Sequence, residues 1–149
     1  MKPPKTDFKN REASSVEKIK TDEFVTGIIE NIKYEEKHVW RAFEGNEPRP
    51  PGPAVKFVFV INGYKFPHYT EWMTFSYHEK SKLFTKFIQP LVANAKPYMD
   101  FDLDQLKGLK VKMLWKDKKN PLFQEIETIR PLEAKVIPVS GEESETVPF

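Results

Sequence analysis

Cysteine is absent from this 149-residue chain, which excludes disulfides, a thiol nucleophile and every cysteine-based zinc site. A reducing compartment is compatible with that lack. Histidine is scarce, and His38, His68 and His78 stand at no metal-ligand spacing to one another. No serine is marked as a nucleophile, so nothing points to catalysis, a metal or a cofactor. No stretch approaches the roughly 20 apolar residues that span a bilayer, and the opening Met1-Lys2-Pro3-Pro4-Lys5 leads into no apolar run. The expectation is a soluble, unexported cytoplasmic protein without membrane contact. Strong net charge is missing too: the formal +2 gives no argument for nucleic acid on its own, so any such surface must be a local groove.

What is present is unevenly placed. Met1 to Lys20 carries six basic and three acidic residues, Leu132 to Phe149 one basic and four acidic, and proline and charge gather at both ends. This predicts a basic flexible arm over 1–21, one folded domain over 22–132 and an acidic flexible tail over 133–149. Asp100, Asp102 and Asp104 imitate a calcium loop, but its sixth position is Gln105 rather than Gly and its twelfth is Val111 rather than Glu. Asp104 is instead expected to cap a short turn over Gln105 to Lys107.

The periodicities give the element order. Glu23 to Tyr34 reads as a strand with Phe24, Thr26, Ile28, Glu30, Ile32 and Tyr34 on one face and Val25, Gly27 and Ile29 on the other, Gly27 marking a bulge or bend. Arg41 to Pro53 is too rich in proline and glycine for helix or central strand and reads as an exposed loop. Val55 to Ile61 is a second strand, joined through Asn62-Gly63, a tight-hairpin dipeptide, to a third running unevenly from Tyr64 to Phe75. Ser76 and Glu79 have capping-box spacing, and Leu83, Phe87, Leu91 and Ala95 form a helical stripe interrupted by Pro90, with Lys80, Lys82 and Lys86 on the polar face. Leu109 to Lys116 and Leu122 to Ile129 complete five strands. Five strands with one helix between the third and fourth is the order of the OB-fold, a partly open barrel whose ligand face is flanked by its first long loop and the loop between its last strands, here Glu35 to Pro53 and Asp117 to Pro121.

Single strands are held by aromatic faces that stack bases and by cations that follow phosphates. Rings and cations interleave here at Trp40, Arg41 and Phe43 in the first loop, Lys56 on the second strand, Lys65, Tyr69 and Trp72 on the third, and Lys110, Lys112, Trp115, Lys116 and Lys118 on and after the fourth. Phe57 and Phe59 share a face with Val55 and Ile61 and read as core. Trp115 shares its face with Met113, which leaves core and contact both open, and a lysine row on a strand also serves as a plain solvated face.

Two sequence features carry a resemblance. Glu142, Glu143 and Glu145 followed by Val147-Pro148-Phe149 resemble the acidic tip of bacterial and phage single-stranded DNA-binding proteins. In that family the terminal Phe docks on replication and repair partners. The run Thr74-Phe75-Ser76-Tyr77-His78-Glu79-Lys80-Ser81-Lys82-Leu83, with Asp102-Leu103 and Gly108 further on, is similar to small phage-encoded proteins regarded as single-stranded DNA binders, over about Phe24 to Pro131. The Pro-rich loop and the basic arm depart from them. The resemblance implies an OB-fold, sequence-independent coating of single-stranded DNA in replication, recombination and repair, capture of partner proteins by the tip, and compatibility with a homo-oligomer, dimer or higher. The rival reading is an OB-fold protein-protein adaptor or virion component without nucleic-acid binding.

Overall fold

The computed structural model describes residues 17–40, 49–120 and 122–138. Alternation builds its first strand, β1 (Val25–His38), with Val25 and Ile29 buried. A bulge between Ile29 and Asn31 reverses the alternation, so Ile32 joins Ile29 against the core instead of pointing away with Ile28. The bulge therefore lies three residues past Gly27, where the sequence placed it. Gly27 has another reason to be glycine: a Cβ there would stand 2.6 Å from the Val60 carbonyl oxygen.

β2 (Gly52–Ile61) starts earlier than the Pro-rich sequence implied. Pro53, near its beginning, gives its carbonyl to the Phe75 amide and loses no interior ladder bond by lacking an N–H. Val55, Phe57, Phe59 and Ile61 point inward, each at most 1% exposed. At Asn62-Gly63 the chain turns with Gly63 at φ +87° and the Tyr64 amide donating to the Ile61 carbonyl at 3.1 Å. This is a turn with glycine in its third position, not a two-residue hairpin. Residues 64–67 then leave the ladder, because the Lys65 and Phe66 amides donate to the Glu17 carboxylate (2.9 and 2.7 Å) and Pro67 has no amide to give. Those two bonds hold the Glu17 carboxyl below the usual carboxylate range. The single third strand expected from sequence becomes two short ones, β3 (His68–Tyr69) and β4 (Met73–Thr74), both on β2.

The helix also starts later than its capping box. Ser76 Oγ accepts the His78 amide, whereas Ser81 Oγ accepts the Phe84 amide at 3.2 Å. A π-helical segment, Leu83–Ile88, runs into a short α-helical one, Gln89–Leu91; together they form α1. The Gln89 amide reaches back five residues to the Phe84 carbonyl, so the widened turn sits directly before Pro90, which cannot donate. Leu83, Phe87 and Leu91 of the expected stripe are buried, and Phe57 meets Phe87 at 4.6 Å between ring centroids. A 3-10 turn, Leu103–Leu106, is capped by the Asp102 carboxylate through the Asp104 amide, not by Asp104. After Gly108 (φ +86°) come β5 (Lys110–Asp117), with Val111, Met113 and Trp115 inward, and β6 (Gln124–Pro131).

The result is mostly antiparallel sheet with one short helix. The strand order is β3-β2-β1-β5-β6, with β4 also on β2. Among the described residues no ladder joins β3 or β4 to β6, so the sheet is open. Two strands of two residues each offer too short a row of backbone donors and acceptors to close it. Side chains span the gap instead: Glu71 binds both Lys118 and Lys82 beside a cavity of about 210 Å³.

The folded body is longer than 22–132. Ile19 is 2% exposed, and its amide and carbonyl both bond the Gln124 side chain at 2.9 Å. At the other end the Val136 amide donates to the Leu91 carbonyl and its carbonyl accepts from Ala93, both at 2.8 Å. The expected flexible arm and tail therefore each contribute docked residues. No described helix is long and apolar enough to cross a membrane.

Candidate nucleic-acid interface

The bulge in β1 that sends Ile32 inward also sends Lys33 outward, directly across the ladder from Lys56 on β2. Neighbouring strands thus carry two ammonium groups on the solvent side of the sheet. Both lie over the Tyr69 ring, at 5.3 Å (Lys33) and 5.0 Å (Lys56) from its centroid, and Lys56 also lies 4.9 Å from that of Trp72. Tyr69 is outward because it pairs with Val58, while its neighbour His68 pairs with Phe59 and points in. Where β1 ends, the His38 ring lies between two indoles, 4.6 Å from Trp40 and 4.9 Å from Trp72. Arg49 completes the row: its guanidinium carbon is 4.3 Å from the Trp40 ring centre and its Nη2 donates to Thr74 Oγ1 at 2.9 Å.

Cations and rings therefore line up as Arg49, Trp40, His38, Trp72, Lys56, Tyr69 and Lys33. Each cation–π contact contributes on the order of 0.5–1 kcal/mol at an exposed site, a bias toward the observed ring positions. Glu35 is the acid in this row and is bound to His38 Nδ1 at 2.5 Å. Burial, and then the charge of Lys33, hold the Lys56 ammonium below its ordinary range, with Glu35 opposing. A phosphate between the two lysines would remove that repulsion, while the indoles and Tyr69, 47% exposed, have the flat faces that bases stack on.

The structure brings together Trp40, Lys56, Tyr69 and Trp72 from the expected set. Lys110 and Lys112 lie on the solvent side of β5, opposite Ile28 and Thr26, and Lys112 approaches Phe24 at 5.7 Å; they form a second cationic row rather than part of the first. Lys65 sits on the turn after β2 and faces Phe66. Lys116 is engaged by Glu125 at 3.7 Å and Lys118 by Glu71, so both are partly neutralised. Trp115 is a correction: at 2% exposure, packed against Phe59 and His68, it offers no face to a base. Arg41 and Phe43, like Glu142, Glu143, Glu145, Val147, Pro148 and Phe149, lie outside the described residues.

Sequence reasoning missed Lys33, His38 and Arg49. Lys33 was hidden because the bulge expected at Gly27 falls instead between Ile29 and Asn31, and the simple alternation puts Lys33 on the inward face. His38 had been weighed only as a ligand or catalyst, although its position two residues before Trp40 is a usable signal. Comparison of the chain with protein-family models, with curated proteins and with solved structures returns no match.

Proposed function

We propose that this chain is a non-enzymatic single-stranded DNA-binding protein of the OB-fold type, coating unpaired strands with little sequence preference. One observation carries the reading: the row of cations and rings from Arg49 to Lys33 on the solvent side of β1, β2 and β3, at the base of the first long loop. Rings that stack on any base, beside cations that follow phosphates, favour coating over sequence readout. The connectivity supports the OB-fold part: β1 pairs with both β2 and β5, and the helix lies between the third and fourth strands once β3 and β4 are counted as one interrupted strand. The acidic end, Glu142 to Phe149, is assigned the capture of replication and repair proteins on its resemblance alone.

The test is a tryptophan-fluorescence titration with oligothymidine and with duplex, at about 50 and about 200 mM salt. Tight binding of the single strand, weakening with salt and exceeding duplex binding, is the expected outcome. Affinity for neither nucleic acid would overturn the reading and return the aromatic row to a protein interface.

A further inference from the structure

Beyond the aromatic row, a groove of about 820 Å³ lies between α1 and β6. Lys80, Lys86, Arg130, Lys135 and Gln89 line it, and Glu127 is the one acid in its wall. Among the described residues, Lys80, Arg130 and Lys135 make no ion pair, so three cations without a salt-bridge partner face a groove that holds a single acid. No aromatic ring lines it. Such a surface has the chemistry to hold a polyanion by its charges, without stacking.

The groove is not isolated. It shares Lys82 and Lys86 with the cavity in the open seam of the sheet, and Tyr69 of the aromatic row lines that cavity in turn. At the crossing stands Glu71, whose two carboxylate oxygens are taken by Lys118 and Lys82. A carboxylate held between two ammonium groups occupies the place a phosphodiester would take, since both present anionic oxygens to the same donors.

Resting on the single-strand reading above, we propose that a strand longer than the aromatic row continues across the seam. Its phosphates replace Glu71 on Lys118 and Lys82, then follow the groove of Lys80, Lys86, Arg130 and Lys135. The aromatic row takes bases and the groove takes backbone only. An acidic peptide such as the chain's own Glu142 to Phe149 is the other polyanion to weigh. Its Phe would need an apolar socket, and the apolar lining here amounts to Pro90 and the buried Ile129.

The test uses the full chain and the triple variant Lys80→Gln, Arg130→Gln, Lys135→Gln, all exposed positions, with folding checked by circular dichroism. Oligothymidines of about 6 and about 20 nucleotides are compared, inside and beyond the roughly 4–16 nucleotides that one OB-type surface occupies. The expected result is unchanged affinity for the short strand and about a tenfold loss for the long one. Its log-log salt slope should become shallower by about 2, from three lost phosphate contacts at roughly 0.7 each. Glu71→Gln is expected to tighten the long strand alone. Equal affinity of wild type and triple variant for the long strand overturns the groove while leaving the aromatic reading standing. So does a variant that loses only a synthetic peptide of residues 140–149, which would hand the groove to the acidic end. Failure of the wild type to bind even the short strand overturns both readings.

Discussion

Replacing Trp40 and Trp72 together by alanine is expected to weaken oligothymidine binding by about 2–6 kcal/mol, since each base stacked on a ring contributes roughly 1–3 kcal/mol. The low end already corresponds to a loss of about 30-fold in affinity. The size follows from position. Both indoles are only half-buried, they flank His38, and Arg49 and Lys56 hold them from either end. Removing them takes away the stacking platform together with the surfaces on which two cations rest. Loss of one cation, as in Lys56→Ala, should instead make the salt slope shallower by about 0.7, the effect of a single phosphate contact on a single strand. Titrations of both variants at several salt concentrations separate the two effects. A double tryptophan variant that folds and binds as tightly as the wild type would remove these rings from the site.

Gly27→Ala should cost about 1–3 kcal/mol of stability, the usual penalty for forcing an atom into filled space. The added Cβ would meet the Val60 carbonyl oxygen at 2.6 Å, the Ile61 Cα at 3.0 Å and the Ile61 Cγ1 at 3.3 Å. The two nearest are backbone atoms of β2, the strand next to β1, and neither can swing away as a side chain would. Gly27 is also paired on its other side with Val111 of β5, so β1 cannot retreat without straining a second ladder. Against a typical total of 5–15 kcal/mol the loss is large. Urea denaturation should show a lower midpoint with an unchanged slope. Gly52→Ala is the control, because a Cβ there meets nothing within 4 Å. Its effect should stay within about 0.5 kcal/mol. Equal stability of Gly27→Ala and wild type would contradict the close packing of β1 on β2.

Much of this architecture is written in local periodicity. The inward set Val55, Phe57, Phe59 and Ile61, the inward set Val111, Met113 and Trp115, and the buried stripe Leu83, Phe87 and Leu91 all follow from spacing, because each element has one face that must leave water. The parts that spacing does not encode are long-range. The bulge after Ile29 is fixed by registry with β2, and it alone decides that Lys33 faces outward beside Lys56. The exit of residues 64–67 from the ladder is fixed by the Glu17 carboxylate, some fifty residues earlier in the chain. The helix start moves from Ser76 to Ser81 because His78 and Ser81 close their own turn first, the Ser81 amide donating to the His78 carbonyl. The candidate site shows the same division. Trp40 at the loop base, Lys56 on the second strand and Tyr69 and Trp72 on the third were legible as rings and cations, whereas Lys116 and Lys118 lost their freedom to Glu125 and Glu71, carboxylates that only the folded chain brings near.

The most direct measurement follows the three indole N–H resonances by NMR while oligothymidine is added. Trp115, enclosed by Phe59 and His68, serves as the internal reference. The account predicts large shifts for Trp40 and Trp72 as the strand saturates the protein, with Trp115 nearly still. Shifts confined to Trp115, or none at Trp40 and Trp72 while the strand is demonstrably bound, would place unpaired nucleotides somewhere other than the row of rings and cations on β1 and β2.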